Sequence, residues 1–149
     1  MTDEILGGAP SAGTPHPTLK TLDVLVGTWH VSGPGHHGTV TYEWMPGGHF
    51  LVQRVHLVQG DDTTSGVEYI GHDPASGTLK SHFFGSTGEI LEYVYEVADR
   101  ELTIWFGEPG SPARYRGTFD AEGTSATGAW AWPGGGYQST MTRVHPAIC

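Results

Sequence analysis

Nine short clusters of turn-forming residues cut the chain between Thr28 and Arg143, and they constrain its fold more than any other feature. They read PGHHG, PGG, GDDTTSG, DPASG, GSTG, ADR, EPGSP, DAEG and PGGG. Such residues favour turns because they supply a positive φ, a fixed φ or a local side-chain hydrogen bond. Between the clusters lie short runs rich in Val, Thr, Tyr, Trp and Phe, the composition of strands. Nine breaks predict about ten strands. No stretch between them carries a helical pattern long enough for a crossover, so successive strands should pair antiparallel. The expected fold is all-β: a single antiparallel up-and-down β-barrel of about ten strands with a short N-terminal helical plug. The 23 glycines and 10 prolines among 149 residues would also suit a disordered chain. Sixteen aromatic residues, spread from Trp29 to Tyr137, argue instead for a packed core.

Residues 1–17 read as a flexible N-terminal tail, residues 18–145 as the barrel domain, and residues 146–149 as a C-terminal tail. Leu19, Leu22 and Leu25 recur every third residue, enough for a turn or two of helix plugging one end of the barrel. Lys plus Arg is 7 against 16 Asp plus Glu, a net charge of −9, which excludes the cation cluster a nucleic-acid partner requires. No apolar run approaches the ~20 residues of a membrane helix, so no membrane partner is expected. No basic start leads into an apolar stretch, and the expected location is cytoplasmic. The sole cysteine, Cys149, allows neither an intrachain disulfide nor a cysteine-based metal site.

Hairpin registers assign faces. With Pro133–Gly136 taken as the last loop, Trp132 faces Tyr137, Trp130 faces Ser139, Gly128 faces Met141 and Ala126 faces Arg143. One face is then aromatic and the other small and polar, so the aromatic face belongs inside. A two-residue turn at Asp99–Arg100 puts Leu91, Tyr93, Tyr95 and Val97 on one face with Leu102, Ile104 and Phe106, although Asp-Arg is not a favoured pair for such a turn. Trp105 then points outward and is a candidate for a subunit contact in a homodimer. Around Pro46-Gly47-Gly48 two faces compete. The more apolar one, with Val40, Tyr42, Trp44, Leu51, Gln53, Val55 and Leu57, is the expected interior. The other carries Glu43 and Arg54 as diagonal neighbours, which form an ordinary surface pair if outside and a costly polar feature marking a ligand site if inside.

Gly27-Thr28-Trp29 opens the first strand, and Arg143 lies on the inward face of the last. A Gly-x-Trp with a basic residue on the closing strand resembles the calycin barrels, the lipocalin superfamily and its relatives. That resemblance implies that Trp29 seals the floor and Arg143 stacks over it in a cation–π contact. The runs LDVLVGTW, YEWMPGGHFLVQR and GVEYIGHDPASGTL, together spanning about residues 19–144 with Arg143, resemble more closely an uncharacterised bacterial family of ten-stranded barrels similar to the nitrobindins, which hold haem. In nitrobindins the haem ligand is a histidine on the last strand, shortly before the basic residue. Here Tyr137 to Thr142 contain none, and His145 follows Arg143, where the strand should end. No cofactor is therefore expected. Haem is disfavoured, though another axial ligand would permit it.

Nine histidines invite a metal reading, but no HExxH or His-x-His occurs, so no metal site is expected. There is no Gly-x-Ser-x-Gly, and Gly33-Pro34-Gly35 and Gly134-Gly135-Gly136 lead into no helix that could hold a phosphate. The aromatic interior is the strongest functional hint. Tyr93, Tyr95, Phe106, Tyr115, Trp130, Trp132, Tyr137 and Met141 are the candidate ligand-binding residues. Tyrosine and tryptophan carry polar tips that need partners when buried, and large residues beside Gly117, Gly128 and Ser139 leave room for a flat guest. The same aromatics could equally fill a small barrel. The first functional reading is binding of a small, largely apolar or aromatic molecule. The second is a cofactor-free isomerase, cyclase or hydratase drawing acid–base groups from His56, His82, Glu43 and Arg54. The third is haem chemistry of the nitrobindin kind.

Overall fold

The structure, a computed structural model, describes residues 13–144. Ten strands follow in order: β1 (Gly27–Gly33), β2 (His36–Trp44), β3 (Phe50–Gln59), β4 (Asp62–Asp73), β5 (Thr78–Gly85), β6 (Ile90–Ala98), β7 (Glu101–Phe106), β8 (Arg114–Phe119), β9 (Ser125–Trp132) and β10 (Gly135–Arg143). Each pairs antiparallel with its sequence neighbours, and β1 pairs with β10 to close the barrel. The all-β ten-stranded barrel expected from the turn clusters is the observed fold. The tail expected over residues 1–17 lies outside the described residues as far as residue 12, and His145 and residues 146–149 lie outside them entirely.

Pro17–Leu25 forms a 3₁₀ helix that buries Leu19, Leu22 and Leu25. The spacing of three explains the helix type, since 3.0 residues per turn puts every third side chain on one line. Among the described residues, no helix is long and apolar enough to cross a membrane.

The hairpin registers decide what faces inward. Between β6 and β7, Ala98 faces Glu101, Tyr95 faces Ile104 and Tyr93 faces Phe106, as a two-residue turn requires. Asp99 and Arg100 adopt φ of 51° and 66°, the left-handed pair of a type I′ turn. The poor turn sequence is overruled because the ladder on both sides fixes the register. Trp105 points outward as expected, half-buried with the Arg114 and Arg116 guanidiniums 5.9 and 5.8 Å from its ring.

Between β9 and β10 the expected register is corrected by two residues. Tyr137 faces Trp130, Ser139 faces Gly128 and Met141 faces Ala126, while Trp132 faces Gly135. The loop is only Pro133-Gly134: proline sits at the first central position and Gly134 has φ 87°, the pattern of a type II turn. Gly135 and Gly136 therefore join the strand. A shift of two preserves the side-chain parity, so the aromatic face remains inside. Between β2 and β3 the more apolar face is the interior, with Val40, Tyr42 and Leu51 buried. Glu43 and Arg54 form their pair at 3.0 Å on the outside, with side chains 65% and 55% exposed.

Candidate functional site

The two ends of the barrel differ. At the end carrying the 3₁₀ helix, Trp29 is fully buried and its indole N–H donates to the Leu25 carbonyl at 2.8 Å. Arg143 lies directly across from Trp29 in the β1–β10 ladder, with its guanidinium carbon 4.2 Å from the centre of the indole ring. The same guanidinium donates to the carbonyls of Val24, Val26 and Gly123. Gly27 is glycine for this reason: its φ is 127°, and a Cβ there would lie 2.5 Å from Arg143 Nη1. Trp44 ties the helix to the wall by donating to Asp23 at 2.8 Å. This end is sealed.

Above it the barrel holds a cavity of about 270 Å³ that opens towards the opposite mouth. Tyr93, Tyr95, Tyr115, Trp130, Tyr137 and Met141, six of the eight expected ligand-binding residues, line it. Tyr93, Trp130 and Tyr115 form a run of edge and tilted contacts, with ring centres 6.1 and 5.5 Å apart. Phe106 and Trp132 do not line it. They are the last residues of β7 and β9, 43% and 44% exposed at the rim, where they touch Tyr93 and Tyr137 respectively. The short Pro133-Gly134 turn carries Trp132 past the last inward rung.

The four expected acid–base residues are not in this space. His56 and His82 are exposed on the outer wall, His56 Nδ1 lying 2.8 Å from Ser65 Oγ and His82 Nε2 lying 3.8 Å from Glu92. Glu43 and Arg54 are the outer ion pair. Strand parity is the reason: once Tyr42 and Gln53 face inward, the residues beside them in sequence must face out.

The cavity has a polar centre of different composition. Glu68 of β4 is only 3% exposed. It accepts a hydrogen bond from the Tyr95 hydroxyl at 2.9 Å and another from the Ser81 hydroxyl. Beside it, Gln53 donates to the Tyr42 hydroxyl at 3.1 Å. Tyr42, Gln53 and Glu68 stand in one row because each faces the next across the β2–β3 and β3–β4 ladders. Burial pushes the Glu68 carboxyl up to about 7, against the lowering effect of the Ser81 and Tyr95 hydrogen bonds. Burial also pushes the Tyr93 and Tyr115 phenols up to about 12, so they stay neutral hydrogen-bonding groups.

A second polar point is His36, the first residue of β2, 5% exposed on the same cavity. Its Nε2 lies 3.2 Å from Ser139 Oγ, its ring meets Tyr137 edge-on at 5.0 Å, and its Nδ1 has no hydrogen-bond partner among the described residues. Neither Glu68 nor His36 was identified from the sequence. The clusters PGHHG and GDDTTSG read as loops of five and seven residues. Each holds a two-residue turn, Pro34-Gly35 and Gly60-Asp61, so His36 and the residues from Asp62 belong to strands. Two-residue turns there would have carried the inward parity from Gln53 to Glu68. Among the described residues, no three His, Cys, Asp or Glu side chains gather into a metal-binding group.

No family model matches the chain, and no curated protein matches it. The closed ten-stranded antiparallel barrel is compatible with a calycin-like fold.

Proposed function

We propose that the barrel binds a small, largely apolar or aromatic molecule in its cavity. The observation that carries this reading is an aromatic-lined cavity in which a buried histidine nitrogen lacks a partner among the described residues. Space filling alone would leave neither a cavity of about 270 Å³ nor a buried histidine nitrogen without a partner. An apolar cavity of about 150 Å³ takes up benzene, so this one suits a ring system of one or two rings. The calycin and nitrobindin resemblance agrees with an interior ligand. Haem of the nitrobindin kind is disfavoured, because the last described strand carries no histidine.

Titration with 2-methoxynaphthalene, a neutral two-ring probe, should quench tryptophan emission and saturate at one site per barrel. Trp130→Ala should weaken that binding. If the wild type takes up no probe and Trp130→Ala merely lowers stability by ~3–5 kcal/mol, as a core truncation would, the aromatics fill the barrel and the reading fails.

A second reading, cofactor-free proton-transfer catalysis of the isomerase, cyclase or hydratase type, has one observation in its favour. Glu68 is a carboxyl inside the cavity whose pKa, about 7, suits both donation and acceptance of a proton near neutrality. It replaces His56, His82, Glu43 and Arg54 in that role. Any turnover found by substrate screening should vanish in Glu68→Gln and survive in His82→Ala.

A further inference from the structure

Each carboxylate oxygen of Glu68 accepts a single hydrogen bond, Oε2 from Ser81 and Oε1 from Tyr95. A carboxylate has about four lone-pair sites, and among the described residues only the Ser81 and Tyr95 hydroxyls donate to it. Isolating such a charge from water is costly unless a partner arrives. Among the described residues, no lysine or arginine lines the cavity to serve as one. Arg143 is committed to three backbone carbonyls and Trp29 at the sealed end. The remaining walls include Tyr93, Tyr115, Trp130 and Tyr137, whose ring faces attract cations through their quadrupoles. At the mouth stands Glu89, whose carboxyl the Thr87 hydroxyl holds below the usual carboxylate value. A second polar group, the His36 Nδ1, is buried in the same cavity without a partner. The overall charge of −9 adds a field of the same sign.

The geometry points to a ligand that is a small aromatic or heteroaromatic base, bound as its cation with an N–H donating to Glu68 and its ring against Tyr93 and Trp130. This rests on the cavity-binding reading above and names its ligand class. The charge-assisted bond uses a remaining lone pair of the carboxylate and keeps the anion paired once water is excluded. His36 Nδ1 remains to receive or donate one further hydrogen bond, which would orient the far end of the ring system.

Three probes with one ring system separate the outcomes: 1-naphthylmethylamine, 1-naphthylmethanol and 1-naphthoate, titrated against the full chain near pH 8. The amine should bind at least about tenfold more tightly than the alcohol, the scale of one hydrogen bond to a charged group, and the carboxylate most weakly. If none binds, the cavity reading itself fails. If the alcohol binds as well as the amine, the cavity stands and the cation assignment is overturned.

The Glu68→Gln variant should retain the alcohol affinity and lose the amine's advantage. Retained alcohol binding shows that its barrel is intact. Should that variant not fold, the wild-type pH profile decides. Preference for the amine should grow from about pH 5.5 to 8 as Glu68 ionises through about 7, while alcohol binding stays level. The other titratable groups facing the space are His36, Glu89 and the phenols of Tyr42, Tyr93, Tyr95, Tyr115 and Tyr137. Burial raises all five phenols, which keeps them neutral over this range. An unchanged preference across that range, or the same rise in Glu68→Gln, would overturn the assignment to Glu68.

Discussion

The two ends of the barrel spend polar atoms in opposite ways. At the sealed end each of these side-chain nitrogens has an acceptor: the Trp29 indole on Leu25, the Trp44 indole on Asp23, and the three guanidinium nitrogens of Arg143 on three carbonyls. In the cavity, each Glu68 oxygen accepts one hydrogen bond and keeps lone-pair capacity, and among the described residues His36 Nδ1 has no partner. Both regions are buried and aromatic, so burial and residue type do not tell them apart. Hydrogen-bond completeness does. A fully satisfied cluster makes the structure rigid, whereas an incomplete one waits for something to complete it.

The largest test of this contrast is at the sealed end. Trp29→Ala should cost ~3–5 kcal/mol in chemical denaturation, since it empties a fully buried indole site. Arg143→Ala should cost less, and the double variant less than the sum, because each loss removes the same stacked contact. Additive losses would mean that the cation–π stack does not couple the two.

Next in size is a pH effect in the cavity. Glu68 has a folded pKa of about 7 against an ordinary 4.5, so the folded protein binds this proton more tightly than the unfolded chain does. Its contribution to stability is therefore full below the ordinary value and is lost as pH rises to about 7, a fall of ~3 kcal/mol. The stability difference between wild type and Glu68→Gln should change by that order between about pH 4.5 and 7.5 and then level off. A flat difference would show that Glu68 does not carry the buried proton.

His36→Leu should have a smaller effect, ~1 kcal/mol, because relief of the unpaired, desolvated Nδ1 offsets part of the cost of losing the Nε2–Ser139 hydrogen bond. The same change should shift affinity for a naphthalene probe. A large stability loss without any change in probe affinity would move His36 from the cavity site to the structural frame. Smallest of all, Glu43→Ala and Arg54→Ala should each change stability by ~0–1 kcal/mol and leave probe binding unaltered, as expected for an exposed pair outside the cavity.

Much of this molecule is legible without coordinates. The turn clusters count the strands, the period of two assigns faces, and the spacing of Leu19, Leu22 and Leu25 marks the plug. Those signals are local, and even the two-residue register error after Trp132 left the aromatic face inside because parity survives an even shift. Trp29 and Arg143 were recognisable together through the Gly-x-Trp and closing-strand pattern. The polar centre of the cavity was not legible in the same way. Glu68 gains its character from burial and from Tyr95 and Ser81 on strands β6 and β5, which no window of sequence displays. His36 and His37 look equivalent as letters, yet one is buried against Ser139 and Tyr137 and the other exposed, because β2 begins immediately after Gly35. Strand number and facing follow from short-range pattern. Which polar atoms remain unpaired depends on contacts between distant strands, so only the closed barrel decides it.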